Sequence, residues 1–381
     1  MPKSRFNYVV RRDAPSTSQT GTAVYDLSRE GFLQQIQLSV ACTPTAVTDP
    51  AVQVKDFVKA VTLRSGGEVV FSLRGNELKA FESYDYQSDL ASTELNEGGV
   101  EGTDTFVIPF ERVVNGRLVA PDLTKWNHPQ LVVEWDASIT KTDFGMFVDA
   151  DTAPVPLITI LEYIYEGTGK HTHGYLKVQE VKTLVMAASA TFQTTIAINE
   201  PLEGVLITGG YGDTNFSDDH TEIKFNFGGG AWVPLDLFSA DFGKWQEAVF
   251  GNPFTHSVKA DIRNAKNLDL HMGRVIGFAA NGIELASTYS YTLTSNSAAI
   301  PKIGVNTGAD VAQNGYERAS FSVRGFLPYH SFFVPMWALL GGDSDTVDPS
   351  MHRDLVITTV SGSSANTSSR PKILARYLVT K

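Results

Sequence analysis

The sequence predicts an all-β protein built from two consecutive, similar antiparallel β domains. Short apolar runs alternate with turn residues through most of the chain, and long amphipathic helical patterns are scarce. Three apolar segments of the first half also recur near the end of the chain, in the same order and at roughly the same spacing. Ordered recurrence of this kind is typical of a duplicated structural unit.

The repeat consists of three matched pairs of segments. Residues 106–110 match 332–336, residues 131–133 match 355–357, and residues 160–164 match 374–378. In the last pair a lone charged residue followed by tyrosine holds the same place in both copies, as Glu162 and Arg376 show. Because apolar pentamers are common in β proteins, the shared order supports the duplication more than any single match does.

The first half contains an arm, a strand and a hairpin in chain order. Residues 1–24 have basic and apolar residues but no core pattern of their own, so they are interpreted as an N-terminal arm. Residues 32–40 alternate as a half-buried strand does. The β-rich runs 58–63 and 69–73 flank Ser65-Gly66-Gly67, a hairpin signal, because glycine supplies the positive φ of such turns.

The second half repeats the early strands and then departs from the first. Residues 76–81 in the first copy and 235–245 in the second are predicted as short helices. The second copy has many more residues between its helix and the segment at 332, which predicts an insertion at about 244–325. The predicted division is an arm at 1–24, a first domain at 25–168 and a second domain at 169–381.

Composition restricts the class of protein. A chain of 381 residues can bury two cores, and 42% hydrophobic with 19% charged residues is typical of a folded protein. The net charge of −11 does not favour a dedicated nucleic-acid surface. Cys42 is the sole cysteine, which excludes an intramolecular disulfide and a multi-cysteine metal site. No secretory signal is recognised at the amino terminus.

Motifs that could carry chemistry fail on inspection. Gly169-Lys170 lacks the earlier glycine and the following hydroxyl residue of a phosphate-binding loop. His171 and His173 have no third metal ligand nearby, and the segment 213–217 has only the first part of a calcium loop. Glu134 and Asp136 are carboxylates that one would test in a glycosidase, although solvated strand-end positions explain them better. No catalytic residue, metal site or cofactor is therefore predicted.

Several segments together resemble the double jelly-roll major capsid proteins of tailless icosahedral viruses, the lineage that includes adenovirus hexon. The resemblance covers nearly the whole chain and is one of overall pattern, because that family has no invariant signature. The segments that carry it are 25–33, 58–73 with 78–81, 106–110, 121–123 and 131–135.

The resemblance implies a fold and a role. The fold would be two tandem eight-stranded jelly-roll β-sandwiches with short helices in loops. The role would be structural and not enzymatic: a homotrimer forming a pseudo-hexameric capsomer of the virion, assembled in the host cytoplasm. Its partners would be neighbouring capsomers, penton or minor capsid proteins and internal membrane lipid, with no sequence-specific nucleic acid and no cofactor.

The predicted arm supplies the candidate assembly residues. It combines cations with apolar side chains and has no acid before Asp13, so it suits an anionic partner or a hydrophobic neighbour on the inner side of a shell. The residues are Lys3, Arg5, Phe6, Tyr8, Arg11 and Arg12.

Two other classes of function remain open at the level of sequence. A β-sandwich carbohydrate-binding or glycan-degrading protein, such as a phage receptor-binding module, would use exposed tryptophans beside carboxylates. A cupin-like metal enzyme would need a clustered pair of histidines with a carboxylate, which the sequence lacks.

Overall fold

A computed structural model provides the structure of the chain. It describes residues 6–15, 18–42, 54–88, 92–93, 102–114, 116–136, 155–167, 171–210, 216–262, 266–269, 272–281, 290–295, 301–306, 317–341, 344–365, 367 and 369–380. Strands dominate these residues, and helices are short.

Among the described residues, the first half contains twelve strands and one long helix. The strands are β1 (Phe6–Pro15), β2 (Thr20–Asp26), β3 (Phe32–Cys42), β4 (Val58–Ser65), β5 (Glu68–Leu73), β6 (Ser92–Thr93), β7 (Gly102–Pro109), β8 (Arg112–Val114), β9 (Arg117–Ala120), β10 (Pro129–Asp136), β11 (Leu157–Glu166) and β12 (Thr172–His173). Helix α1 is Gly75–Tyr86, and short 3-10 turns occupy Val54–Phe57 and Leu123–Lys125.

The second half has the same kinds of element with an added group of strands. The strands are β13 (Tyr175–Thr183), β14 (Thr191–Ala197), β15 (Leu202–Thr208), β16 (Glu222–Phe227), β17 (Trp232–Phe238), β18 (Phe254–Ile262), β19 (Lys266–Asp269), β20 (Val275–Asn281), β21 (Ser290–Ser295), β22 (Pro301–Asn306), β23 (Glu317–Gly325), β24 (Ser331–Pro335), β25 (Asp354–Val360) and β26 (Lys372–Val379). The helices are α2 (Phe216–Asp219), α3 (Ser239–Phe250) and α4 (Met336–Leu339), with a 3-10 turn at Gly228–Gly230.

Each half forms one jelly roll, as predicted. The first has the sheets β1-β11-β3-β7 and β2-β10-β4-β5, and the second has β13-β26-β15-β24 and β14-β25-β16-β17. When the eight main strands of each half are lettered B to I in chain order, both halves show the same two sheets, B-I-D-G and C-H-E-F. They are called here the BIDG and CHEF sheets, and the two sandwiches are called the first and the second jelly roll.

The sequence repeat identifies the correct strands, with one error of phase. The first two matches align strand G of one jelly roll with strand G of the other, and strand H with strand H. In both, corresponding residues point inward, as Phe106 and Phe332 do. The third match joins I to I but reverses the faces. Glu162 lies on the inner face of β11, whereas Arg376 lies on the outer face of β26. A shift of one residue in a strand moves every side chain to the other face, so the shared charge is a coincidence.

Each jelly roll is stabilised by a hydrophobic core between its two sheets. The inward positions of both sheets are almost completely buried in each, for example Leu38 and Val61 in the first and Ile223 and Ile357 in the second. Cys42, at the end of β3, is buried in the first core as a small apolar residue. Alternation of apolar and polar residues along each strand produces these cores.

The prediction of an N-terminal arm at 1–24 is wrong from residue 6 onward. β1 pairs with β11 along its whole length, from Phe6 opposite Glu166 to Pro15 opposite Leu157, and β2 pairs with β10. The first jelly roll therefore begins at β1 and not at residue 25. Alternation in β1 is hard to recognise because Arg12 occupies an inward position, a place where sequence patterns lead one to expect an apolar residue.

The predicted helices and insertion lie in the right places, with different bounds. The helix predicted at 76–81 lies inside α1, which is twice as long. The helix predicted at 235–245 begins only at Ser239, because residues up to Phe238 pair with β16 as strand F. The first residues of the predicted insertion, up to 250, belong to α3.

Strands β18 to β23 form sheets separate from the four main ones. Their orders are β20-β23-β18-β6 and β19-β22-β21. β6, from the loop between strands F and G of the first jelly roll, joins the first of these sheets by parallel pairing with β18. Within the described residues, no helix is long and apolar enough to cross a membrane.

Candidate functional site

The candidate arm residues are held in the first jelly roll or lie outside the described residues. Lys3 and Arg5 lie outside them, and Phe6 begins β1. Tyr8 is partly buried against the first core.

The two arginines of β1 have different partners. Arg11 is exposed and donates to Asp13 at 2.9 Å, in a pair that solvent screens. Arg12 donates to the buried carboxylate of Glu162 at 2.5 Å, and the backbone N–H of Ser28 donates to the other oxygen of that carboxylate at 2.9 Å. Arg12 is therefore part of the packing of the first jelly roll.

The residues weighed for metal or sugar chemistry serve structural roles. His171 contacts Glu111 at 2.6 Å and stacks on Phe32, while His173 accepts from the backbone N–H of Asp122. No cluster of three metal-ligating side chains occurs among the described residues.

The tryptophans and carboxylates do not form a sugar-binding groove in the part of the chain that the structure describes. Trp126 and Trp135 are buried in the first core. Glu134 is exposed on β10, and Asp136 pairs with Lys59 at 2.5 Å. These observations do not favour a carbohydrate-active protein.

The contact between the two jelly rolls combines apolar packing with buried charges. It covers the outer face of the second BIDG sheet, the face directed away from the second core. All residues of β26 are buried, and alternate ones, including Leu374 and Leu378, pack against the first jelly roll. From the same face, Phe333 packs against Phe81 and Tyr84 of α1, with ring centroids 6.0 and 5.3 Å apart.

A second apolar contact lies further along the same face. Leu176 and Leu378 form a small cluster with Val114 and Val119 of the first jelly roll. Trp126 meets Tyr175 edge to face at 5.4 Å. The second BIDG sheet thus has apolar packing on each side, which explains why β24 and β26 read as nearly continuous apolar runs.

A buried cluster of charges lies in the middle of this contact. The Arg376 guanidinium donates to Glu203 on the neighbouring strand β15 and to Asp85 of α1, with 2.9 Å between Nη1 and Oδ1 of Asp85. Arg112 of β8 donates to the other side of the Asp85 carboxylate. The Arg376 guanidinium also lies over the rings of Phe81 and Phe333, at 5.1 and 4.7 Å from their centroids.

Electrostatics keep this cluster ionised. Burial raises the pKa of Asp85, but the charges and hydrogen bonds of Arg112 and Arg376 outweigh burial and hold the pKa below its ordinary value. Burial lowers the pKa of Arg376, but the charges and hydrogen bonds of Asp85 and Glu203 have the larger effect. The pKa of Arg376 is therefore raised above its ordinary value. Such a cluster fixes geometry more than it adds stability, because desolvation offsets most of the attraction.

A groove of about 410 Å³ opens along the seam between β5 and β13. Cations line it, but acids balance them. Lys177 pairs with Glu68 at 3.0 Å, and Lys372 pairs with both Glu77 and Glu180 at 2.9 Å. Burial raises the pKa of Glu180, and hydrogen bonds from Thr183 and Lys372 with the charge of Lys372 lower it overall. The groove therefore offers no surplus positive charge for an anion.

The outer face of the first BIDG sheet is uncharged on three of its four strands. Register places its residues in four rows of three across β11, β3 and β7, and none of them is acidic or basic. The rows are Tyr163, Gln35 and Pro109; Leu161, Gln37 and Val107; Thr159, Ser39 and Thr105; and Leu157, Ala41 and Thr103. All are half-buried except Leu157, which is exposed. Depletion of charge on a solvent-facing sheet is typical of the centre of a protein–protein interface.

Comparison with known proteins supports the fold. No known protein family matches the sequence, and no curated protein matches it at the level of sequence. Solved structures do match. PBCV-1 VP54, fitted into a reconstruction of the virophage Sputnik, has a TM-score of 0.53 at 10% identity, over 98% of this chain and 94% of that one.

Two further structures extend the likeness to other viruses. The STIV MCP has a TM-score of 0.51 at 12% identity, over 94% of this chain and 96% of that chain. The major capsid protein P2 of bacteriophage PM2 has a TM-score of 0.52 at 10% identity, over 99% of this chain and 98% of that one. The chain therefore has the fold of these proteins over almost its whole length.

Sequence reasoning did not find the contact between the jelly rolls. Its charged members are far apart in the chain, and each is an ordinary residue in its own segment. One signal was available, namely the continuous apolar run around Arg376, since a strand that is apolar at every position is buried on both faces.

Proposed function

We propose that this chain is the major capsid protein of an icosahedral virus, and that three copies form a pseudo-hexameric capsomer. The observation that carries the proposal is the side-by-side pair of jelly rolls with identical strand order. Proteins with this fold over their whole length include the major capsid protein of bacteriophage PM2. The role is structural, and the important residues lie at interfaces and not in a catalytic pocket.

The internal contact suits a shell subunit. Its buried charges and aromatic rings hold the two jelly rolls at one angle, so that the chain acts as a single rigid block. Three such blocks provide six similar sandwiches around one axis. A block with nearly sixfold symmetry packs against like neighbours on all sides, which is what a closed shell of many copies requires.

Light scattering and electron microscopy of the purified protein test this proposal. We expect a stable trimer at micromolar concentration and hexagonal particles or shells in the images. Stable permanent interfaces bury roughly 2,000 Å² or more, so the trimer should survive dilution. A chain that stays monomeric in solution and forms no particles would contradict the proposal.

The partners and location follow from the same proposal. Neighbouring capsomers surround each trimer, penton or minor capsid proteins fill the vertices, and an internal membrane lies beneath the shell. Assembly takes place in the host cytoplasm, and the strands β18 to β23 project from the outward end of the second jelly roll. Mass spectrometry of purified virions should find this chain as the most abundant protein, with lipid in the same particles.

The basic residues Lys3 and Arg5, which precede β1, contact anionic lipid head groups or an adjacent capsomer in this proposal. Each cation near an anionic membrane contributes about 1 kcal/mol. A truncation at Thr22 would also remove β1 and expose β11, so the appropriate variant begins at Phe6. It should form trimers normally and bind anionic vesicles less well than the full chain. Equal vesicle binding at every salt concentration would contradict this role.

A further inference from the structure

The two long helices hold equivalent places in the two jelly rolls, and this equivalence can be checked by their contacts. In the first jelly roll, Glu82 of α1 accepts a hydrogen bond from the backbone N–H of Val107 at 3.3 Å. In the second, Gln246 of α3 donates to the backbone carbonyl of Phe333 at 2.8 Å. Val107 and Phe333 are the same residue of strand G in the sequence repeat. Glu82 therefore corresponds to Gln246, and Tyr84 corresponds to Ala248.

Burial of the two helices is nevertheless very different. Nine of the twelve residues of α1 are buried, because α1 is packed between the two jelly rolls. Only three of the twelve residues of α3 are buried, namely Phe242, Gly243 and Gln246. On the side of α3 that corresponds to the contact side of α1, Ala248 is exposed, whereas Trp245 and Val249 are half-buried.

The two BIDG sheets show the complementary difference. α1 covers the outer face of the second BIDG sheet, with Tyr84 on Phe333. The outer face of the first BIDG sheet is uncharged on three strands, and its Val107 is only half-buried. The internal contact joins a helix, α1, to the outer face of the second BIDG sheet. The chain has a second copy of each surface, α3 and the outer face of the first BIDG sheet, and these two do not meet within one chain.

We propose that α3 of one copy packs on the outer face of the first BIDG sheet of the next copy, repeating between chains the contact that joins the jelly rolls within a chain. The contact is head to tail, since the two surfaces that meet are different. Repeated head-to-tail contacts close into a ring when the rotation between units permits it. Six jelly rolls joined by alternating internal and external contacts then form the trimer. This inference rests on the proposed function and adds the surfaces that build the capsomer.

Exposed apolar residues between strands G and H of the second jelly roll support a second copy as the occupant. The internal contact is completed by the region between strands G and H of the first jelly roll, where Val114 and Val119 lie. The corresponding region of the second jelly roll includes Trp337 and Met351, which are 36% and 66% exposed. Trp337 also meets Phe250 of α3 edge to face at 6.4 Å. Exposed aromatic and methionine side chains are typical of the centre of a permanent interface.

Cross-linking of a double-cysteine variant tests the contact. The internal pair Tyr84 and Phe333 corresponds to Ala248 of one copy and Val107 of the next. The full-length double variant Val107→Cys/Ala248→Cys, treated with a short bismaleimide, should give covalent dimers and trimers and nothing larger on a denaturing gel. Each single variant should remain monomeric there, because a head-to-tail contact never places two copies of one residue together. The native Cys42 is buried and should not react.

A matched control uses Val24, an exposed valine on the outer CHEF face of the first jelly roll. The variant Val24→Cys/Ala248→Cys should give no covalent trimer. In parallel, Val107→Arg should raise the dissociation constant of the trimer at least about thirtyfold, as expected for a charge buried at an interface centre, and Val24→Arg should leave it unchanged.

The outcomes separate this contact from the proposed function. A trimer in solution without cross-links through residues 107 and 248 would overturn the contact and leave the capsomer intact. Efficient cross-linking through residues 24 and 248, or dimers from Ala248→Cys alone, would overturn the contact as well. An unmodified chain that is monomeric at every concentration would overturn both.

Discussion

The two BIDG sheets have the same strand order but different surroundings. The second is buried on both faces along β24 and β26, with its own core on one side and the first jelly roll on the other. The first has a core on one side only, and on three of its four strands the other face carries uncharged residues that are mostly half-buried. A duplicated domain therefore uses the same surface in two ways, once inside the chain and once as a free face.

The charged residues of the two I strands show what this difference requires. Glu162 points into the first jelly roll and pairs with Arg12 of the same sheet. Arg376 points out of the second jelly roll and pairs with Asp85, which belongs to the first. A buried charge needs a partner wherever it lies, so the partner shows which two parts of the molecule are held together.

The largest effect is expected from breaking the charge cluster between the jelly rolls. Arg376→Met keeps most of the side-chain volume but leaves Glu203 without its cation, and Asp85 keeps only Arg112. We expect a loss of about 3–5 kcal/mol in the free energy of unfolding, measured by chemical denaturation. The variant Arg376→Met/Asp85→Asn/Glu203→Gln should recover part of this loss. A single variant as stable as the unmodified chain would show that the cluster is not needed.

A matched pair of leucines compares the two outer faces directly. Leu374→Ala removes a fully buried side chain from the second BIDG sheet, and we expect a loss of about 2–4 kcal/mol in the free energy of unfolding. Leu161→Ala, on the half-buried face of the first, should cost the isolated chain less than about 1 kcal/mol. Equal losses in monomeric protein would mean that the first face is already covered.

Acid should weaken the second jelly roll through His220. Its imidazole is fully buried and contacts the carbonyl of Thr208 at 3.1 Å, and burial lowers the pKa of His220 to about 4. The unfolded chain takes up this proton near pH 6.5, so stability is complete above that pH and falls between 6.5 and 4. We expect about 2 kcal/mol to be lost by pH 5. His220→Gln should flatten this part of the pH profile, and an unchanged profile would contradict the assignment.

The smallest effects are expected in β1, where two neighbouring arginines differ in their partners. Arg12→Ala leaves the buried Glu162 with only the N–H of Ser28, and we expect a loss of about 1 kcal/mol in the free energy of unfolding, since the arginine is partly exposed. Arg11→Ala removes an exposed pair and should leave the denaturation midpoint unchanged. A larger effect at Arg11 than at Arg12 would be inconsistent with the pairing of β1.

The sequence predicted the elements that depend on local pattern. Alternation, glycine turns and ordered repetition identified the hairpin of β4 and β5, strands G, H and I of both copies, and the extra strands of the second. The arm was misassigned because Arg12 occupies an inward position, and its partner Glu162 is 150 residues away in the sequence. The phase error in strand I arose because apolar residues occupy both faces of β26, so the pattern no longer distinguishes inside from outside.

The sequence by itself determined an all-β chain with a duplicated domain, since side-chain alternation and backbone turns are set by neighbouring residues. Only the tertiary structure decided which faces are buried twice, which charges meet at Arg376, and which helix is enclosed while its counterpart is exposed. These features depend on how residues hundreds of positions apart come together. A single sequence contains no local signal for such contacts, because the free energy that selects them arises when whole faces pack against each other.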